Sequence, residues 1–207
     1  MLRRENMSVK YEIMNVAIRL FAQKGYMASS TREIALMAGV NLSMINYYFS
    51  SKEKLLENIV ASNTSDLIEK IKDVVELEIS ELDKIHSLIE IYAFYILGND
   101  EVSRILFQEQ LMSSYVENIK ALQNLDDANR KYFTEIIDSG KQKLIFASDT
   151  DPGFLYLSII GTVQQYLIRT RSDHKAVSGN QTAYSEAEIN NVVAYLKKLC
   201  DGILLAR

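Results

Sequence analysis

The sequence predicts an all-α protein with three parts: an N-terminal three-helix head built around a helix-turn-helix, a long connecting helix, and a helical body. Three observations carry this. Apolar residues recur at the three- and four-residue steps of a helix along most of the chain, and no strand-like alternation lasts beyond a few residues. One Pro and eight Gly leave few breakers of long helices. The stretch Ser30–Glu53 then places a small residue, a glycine and two apolar residues (Ala35, Gly39, Ile45, Tyr48) at the offsets two short, steeply crossing helices require.

In chain order, residues 1–7 read as a loose arm and Ser8–Lys24 as an amphipathic helix with Ile13, Val16, Ala17, Leu20 and Phe21 on its apolar face, stopped by Gly25. Ser30 and Glu33 have capping-box spacing at the start of the next helix. Gly39 supplies the left-handed turn that ends it. Ser50 and Glu53 repeat the capping spacing at the start of a long helix, whose apolar period continues through Val75. The domain boundary is expected inside this helix, giving a head of residues 1–58 and a body of residues 59–207. In the body, Leu82, Ile85, Ile89, Tyr92 and Ile96 form a stripe ended by Gly98-Asn99-Asp100. Ile105, Leu106 and Met112 mark a shorter helix. Val116, Ile119, Phe133, Ile136 and Ile137 mark one or two more, stopped by Gly140. Asp151-Pro152 is a helix start. The run Phe154–Ile168 is apolar almost all round, which predicts burial on more than one side, with Gly161 at a close backbone approach. A polar loop is expected over Arg171–Tyr184, and a third capping box, Ser185 and Glu188, opens a last helix striped by Ile189, Val192, Val193, Leu196, Leu199, Cys200 and Ile203.

The chain's 207 residues suit one or two domains and can bury a substantial core. With 48% hydrophobic residues, wholesale disorder is excluded. The single cysteine, Cys200, rules out an intrachain disulfide and points to a reducing compartment. No secretory signal and no membrane-spanning run are expected. Net charge is −4 and unevenly spread: residues 1–54 hold eight basic and four acidic residues, whereas the remainder is −8. A basic head on an acidic body suits contact with phosphate by the head alone.

Upstream of the central motif lies Ala17-x-x-Leu20-Phe21-x-x-x-Gly25-Tyr26. Within it lie Thr31, Ile34-Ala35 and Ala38-Gly39-Val40, and downstream Tyr48-Phe49-x-x-Lys52-Glu53-x-Leu55. From about Ile13 to Leu56 the sequence resembles the TetR/AcrR family of bacterial transcriptional regulators. Where that family most often carries the first Tyr of Tyr-x-Tyr-Phe, this chain has Asn46. The resemblance implies a cytoplasmic homodimer bound to a palindromic double-stranded DNA operator. It further implies repression relieved when a small-molecule effector binds a C-terminal ligand-binding and dimerisation domain.

A helix of this size fits the major groove. The residues assigned to DNA are Asn41, Leu42, Ser43, Met44, Asn46 and Tyr47 on the second short helix, with Tyr48 able to present its hydroxyl. Ser43 and Asn46 can bond base edges, and Leu42 and Met44 can meet thymine methyls. The resemblance assigns Thr31, Tyr47 and Lys52 to phosphates. The effector is expected to be small and largely hydrophobic. Its pocket is assigned to aromatic residues of the body and to polar residues on apolar helices: Tyr92, Tyr95, Phe107, Gln108, Glu109, Met112, Phe133, Gln164 and Gln165. The last two helices can pair with their copies in a second subunit or close this subunit's own core.

Two widely separated His and one Cys give no metal cluster, and no Gly-rich phosphate loop or Gly-x-Ser-x-Gly elbow occurs, so neither an enzyme nor a cofactor is expected. The alternative is a DNA-binding regulatory or architectural protein controlled by a protein partner, with no small-molecule pocket. A cavity of several hundred Å³ would favour the sensor, and a large exposed apolar patch the partner.

Overall fold

A computed structural model describes the backbone of residues 2–112, 119–178 and 184–205, and the side chains of these except 2–7, 100, 108–112 and 171–178. Among the described residues there are nine helices and no strand: α1 Leu2–Lys24, α2 Thr31–Met37, α3 Leu42–Phe49, α4 Lys52–Glu76, α5 Glu81–Gly98, α6 Asp100–Met112, α7 Lys120–Gln142, α8 Pro152–Ser178 and α9 Glu186–Leu204. The chain forms two compact units. The first holds residues up to Thr64 together with Glu101–Gln123, and the second holds Ser65–Asp100 and Asn124 onward.

In the first unit, α1 begins six residues earlier than the expected Ser8, so the arm of residues 1–7 is helical from Leu2. Ile13, Val16, Ala17, Leu20 and Phe21 are all buried, as their spacing requires. Ser30 caps α2 by accepting from the Glu33 amide at 3.2 Å. The Glu33 carboxylate pairs with Lys24 instead of closing the capping box. Gly39 has φ +65°, the left-handed turn that lets α3 cross α2, and the Val40 amide returns to the Ala35 carbonyl at 3.0 Å. Ile34, Ala35, Ile45 and Phe49 meet in the resulting core.

The start of α4 corrects one expectation. Ser50 is not its cap. It ends α3 with φ +64°, and Ser51 caps α4 by accepting from the Lys54 amide at 3.2 Å. A residue already turned left-handed to close one helix cannot also take the extended backbone of an N-cap. The backbone hydrogen bond at Glu53 and the Ser51 hydroxyl hold the Glu53 carboxyl below its ordinary value. The unit boundary within α4 falls at Thr64, beyond the expected 58, and Val102, Ile105 and Leu106 of α6 bury with the α1 and α3 core. Their i, i+3, i+4 spacing is one apolar stripe, and its partners lie in the head rather than in the remainder of the body.

In the second unit, α5 packs against α8 and α9. Ser80 caps α5 through the Asp83 amide at 3.1 Å. Asp151 caps α8 through the Phe154 amide at 2.9 Å. Ser185 and Glu188 form a complete capping box on α9. Gly140 does not stop its helix, which runs to Gln142. The ring of Phe146 lies where a Cβ at residue 140 would sit, so this glycine answers to packing. The chain leaves α7 through Leu144, at φ +57°.

α8 overturns three further expectations. Leu155, Ile159, Val163 and Leu167 are buried, but Phe154 is 72% exposed and Leu157 and Ile168 are exposed beside it, so within one chain only one face is covered. Gly161 meets nothing within 4 Å of where a Cβ would stand, so it makes no close approach inside the chain. The helix also runs to Ser178, through much of the expected polar loop.

Candidate nucleic-acid interface and ligand site

The exposed face of α3 is set by what α3 must bury. Ile45 and Phe49 point into the core, and Leu42, Met44 and Tyr48 are half-buried against it. These last three were expected on the DNA face. Flanking Ile45 and Phe49 on an eight-residue helix, they pack against the core and keep only part of their surface exposed. Asn41 is exposed, yet its side-chain oxygen accepts from the Ser43 amide at 3.0 Å and caps the helix. The free face therefore narrows to Ser43, Asn46 and Tyr47, at i, i+3 and i+4, with Tyr47 74% exposed and edge-on to Tyr48 at 5.0 Å.

The cations sort as clearly. The Lys52 ammonium donates to the carbonyls of Tyr26 and Ser29, both at 3.0 Å, and sits 4.2 Å from the centroid of the Tyr26 ring. It braces the α1–α2 turn, with two of its three protons committed. Lys10 bonds Asn58 at 3.2 Å, Arg19 pairs with Glu12 at 3.8 Å, Lys24 pairs with Glu33, and Lys54 pairs with Glu57 at 2.6 Å. Among the described residues up to Lys54, Arg32 is the cation left without a partner. It is exposed in the first turn of α2, beside the half-buried Thr31. Sequence reasoning passed over Arg32. The signal for it was available: a guanidinium next to the helix-start threonine, with no acid three or four residues away on either side to neutralise it.

Of the nine residues assigned to a ligand, the six with described side chains are spread over both units. Tyr92 and Phe133 share a buried aromatic cluster of the second unit, with ring centroids 6.2 Å apart. Tyr95 is half-buried. Its hydroxyl has no partner among the described residues, and burial pushes it up to about 12. Phe107 is half-buried in the first unit. Gln164 is half-buried and Gln165 is exposed. The side chains of Gln108, Glu109 and Met112 lie outside the described residues.

Around Tyr92 the sequence reading missed two residues. Asn129, 1% exposed, accepts a hydrogen bond from the Tyr92 hydroxyl and donates to the Tyr156 hydroxyl at 2.8 Å. Tyr156 stacks edge-on to Phe133 at 5.3 Å and to Tyr92 at 6.0 Å. Burial pushes the Tyr92 phenol well above its ordinary value and Tyr156 up to about 12, so both stay protonated near neutrality. The signal for Asn129 was its place on the α7 stripe, four, seven and eight residues before Phe133, Ile136 and Ile137.

A cavity of about 190 Å³ adjoins this cluster, walled by Phe133, Pro152, Tyr156 and Leu157 with Asp126 and Arg130 beside them. Two larger surface grooves occur in the same unit. One of about 970 Å³ follows the α7–α8 connection and the end of α9, past the exposed Leu144, Phe154 and Ile203. One of about 610 Å³ lies along α8 and α9 between Gly161 and Tyr195. Elsewhere His86 bonds Asp201 at 2.7 Å and ties α5 to α9. Among the described residues no group of His, Cys, Asp and Glu is placed to hold a metal ion, and no helix is long and apolar enough to cross a membrane.

Residues 13–59 match the family described as bacterial regulatory proteins, tetR family. The chain is 30% identical over 156 residues to the HTH-type transcriptional repressor NicS of Pseudomonas putida, covering 71% of this chain and 70% of that protein. It is 24% identical over 159 residues to the HTH-type transcriptional repressor KstR2 of Mycobacterium tuberculosis, covering 73% and 76% of the two. Among solved structures, the fold matches the transcriptional regulator FadR of Bacillus subtilis in complex with stearoyl-CoA, with a TM-score of 0.68 at 20% identity over 90% of this chain and 96% of that one.

Proposed function

This chain belongs to the TetR family of DNA-binding transcriptional regulators, which are not enzymes, and from that premise we propose that it is a homodimeric repressor released from a palindromic operator by a largely hydrophobic effector. The observation that carries the DNA half is the exposed set Ser43, Asn46 and Tyr47 on α3, together with the exposed, unpaired Arg32 on α2. In this reading α3 enters the major groove. Ser43 and Asn46 reach base edges, an asparagine amide being able to pair with adenine through both its atoms. Tyr47, Thr31 and Arg32 hold phosphates and fix the register. Lys52 serves the same contact chiefly by bracing the turn before α2, with at most one proton to spare for phosphate.

One module covers one half-site, and a two-fold dimer reads two of them as an inverted repeat. The uncovered apolar residues Phe154, Leu157 and Ile168 on α8, with Tyr195 on α9, support pairing of these helices with their copies in a partner subunit. Gly161 would then serve an approach between subunits. Residues 1–58 act as the DNA-binding domain and residues 59–207 as the effector and dimerisation domain, with α6 carried against the head. The effector reading draws support from the stearoyl-CoA held by the FadR structure of the same fold. A hundredfold loss of operator affinity needs only about 2.7 kcal/mol of coupling between effector and DNA. The alternative, control by a protein partner, is favoured by one observation: the groove of about 970 Å³ carries exposed apolar side chains on its rim, Leu144 at 91% and Phe154 at 72%.

The test is a competition binding experiment on DNA fragments selected by the full-length protein, with and without stearoyl-CoA. Selective binding to an inverted repeat, weakened by the acyl thioester, supports the reading. Binding that ignores sequence removes the operator, and binding that ignores every acyl ligand tried shifts the weight to a protein partner.

A further inference from the structure

We propose that the cavity between α7 and α8 binds a compact, mostly apolar molecule through one neutral carbonyl oxygen, with the Tyr156 hydroxyl as donor and Asn129 as the residue that positions it. This rests on the reading of the second unit as an effector-binding domain and names the chemistry the site selects.

Asn129 is the unusual residue of this unit. On α7 it occupies a stripe otherwise made of Phe133, Ile136 and Ile137, and it is almost completely buried. An apolar residue would fill that position without the cost of burying an amide. The amide is retained and satisfied from both sides by hydroxyls on two other helices, Tyr92 of α5 and Tyr156 of α8. The order of these bonds is fixed by burial. Tyr92 is fully enclosed, so its single proton must have an acceptor, and that places the Asn129 oxygen toward Tyr92. The Asn129 nitrogen then faces Tyr156 and donates to it. The Tyr156 oxygen accepts a hydrogen bond, and its own O–H meets no acceptor among the described residues. Its high pKa keeps it a donor at every physiological pH.

The cavity lined by Tyr156 supplies the remaining chemistry. Phe133, Pro152 and Leu157 give apolar walls. Arg130 is present, but Asp126 pairs with it at 3.0 Å, so the rim offers no uncompensated charge to draw a carboxylate. One fixed donor, apolar walls and a neutralised rim select an uncharged acceptor: a ketone, ester or thioester carbonyl. The volume of about 190 Å³ equals the liquid share of about six waters. That admits a small carbonyl compound or the reactive end of a longer one. Because the hydrogen-bond chain joins α5, α7 and α8, an occupant that engages Tyr156 touches three helices through one contact.

The experiment uses the full-length protein and three probes of similar shape: acetophenone, ethylbenzene and benzoate. Acetophenone is expected to raise Tm by about 2–4 °C near saturation, and calorimetry is expected to place ethylbenzene and benzoate at least tenfold weaker. Tyr156→Phe should bring acetophenone down to the ethylbenzene value; because it also strands the buried Asn129 N–H, its unliganded Tm should fall, and the affinities are compared by calorimetry below that Tm. Should that variant fail to fold, acetophenone labelled with carbon-13 at its carbonyl reads the same contact in the unaltered protein, through the downfield shift of a hydrogen-bonded carbonyl. Ethylbenzene binding as tightly as acetophenone, an unaltered affinity in Tyr156→Phe, or no binding by any probe overturns the site. No discrimination among the probes while stearoyl-CoA still releases DNA overturns the site and leaves the effector reading standing. Discrimination among the probes with no ligand ever releasing DNA upholds the site and defeats the effector reading instead.

Discussion

The two units use polar residues in opposite ways. In the head, several polar side chains serve the backbone: Asn41 caps α3, Ser51 caps α4, and Lys52 holds two carbonyls of the α1–α2 turn. What remains for DNA is the small set that packing and capping leave unclaimed, Arg32 with Ser43, Asn46 and Tyr47. In the second unit the informative polar group is inside, where Asn129 interrupts an apolar stripe and is satisfied by two phenols. A surface that reads DNA is thus defined by what the fold does not use. A ligand site is defined by a group the fold would be simpler without.

The comparison can be broken most forcefully at Asn129. Asn129→Ala leaves the Tyr92 hydroxyl buried without an acceptor and opens a void, and unfolding by urea should show a loss of about 2–4 kcal/mol. If the polar pair is what matters, Tyr92→Phe with Asn129→Leu should recover most of that loss, since removing both partners avoids the unpaired group. Next in size is Gly140→Ala, where the new Cβ meets the Phe146 ring. Thermal melting should show about 1–3 kcal/mol of destabilisation, and Phe146→Leu should relieve part of it.

In the head, Asn46→Ala should cost about 1–3 kcal/mol at the base pair it reads and relax preference there, as measured by competition over operator variants. A uniform loss over all variants would move Asn46 from base to phosphate. Arg32 and Lys52 then sharpen the contrast between free and committed cations. Arg32→Gln should lower the slope of log affinity against log salt by about 0.9 per subunit contact while leaving Tm unchanged. Lys52→Met should lower Tm and affect the slope less. The reverse pattern would exchange their roles.

The smallest effect is an acid dependence. Glu81 is buried at the start of α5 and bonds Ser139 of α7 and Lys143 just beyond that helix. The hydrogen bond from Lys143 holds its carboxyl below the ordinary 4.5. A depressed folded-state pKa means stability that is present above about pH 4.5 and lost as pH falls through the lower folded value. Glu81→Gln should therefore cost stability at neutral pH, and its melting curve should converge on that of the unaltered protein as the pH drops below that range.

The head was legible in the sequence because its signals are local. Ser30, Gly39 and the Ile34–Ile45 spacing act within a few residues, and each appears in the structure in its expected role. Where two local signals overlapped, as at Ser50 and Ser51, the reading slipped by one residue, because both are serines and only the backbone turn decides between them. Burial on α3 could not be read either: Leu42 and Met44 look like exposed contacts until Ile45 is seen to draw its flanks inward. The body was legible as helices but not as a site. Tyr92, Asn129 and Tyr156 lie 37 and 27 residues apart along the chain, and nothing short-range links them. α8 misled for a related reason, since an apolar face that a single chain leaves open has the same composition as one it buries.

Selection of bound fragments from a random duplex library by the purified full-length protein, at moderate salt, tests the central claim most directly. The account predicts enrichment of an inverted repeat whose half-sites lie one helical turn, about 10 base pairs, or a multiple of it apart, with Arg32→Gln and Asn46→Ala each weakening the enrichment. Recovery of fragments that share no inverted repeat would contradict it.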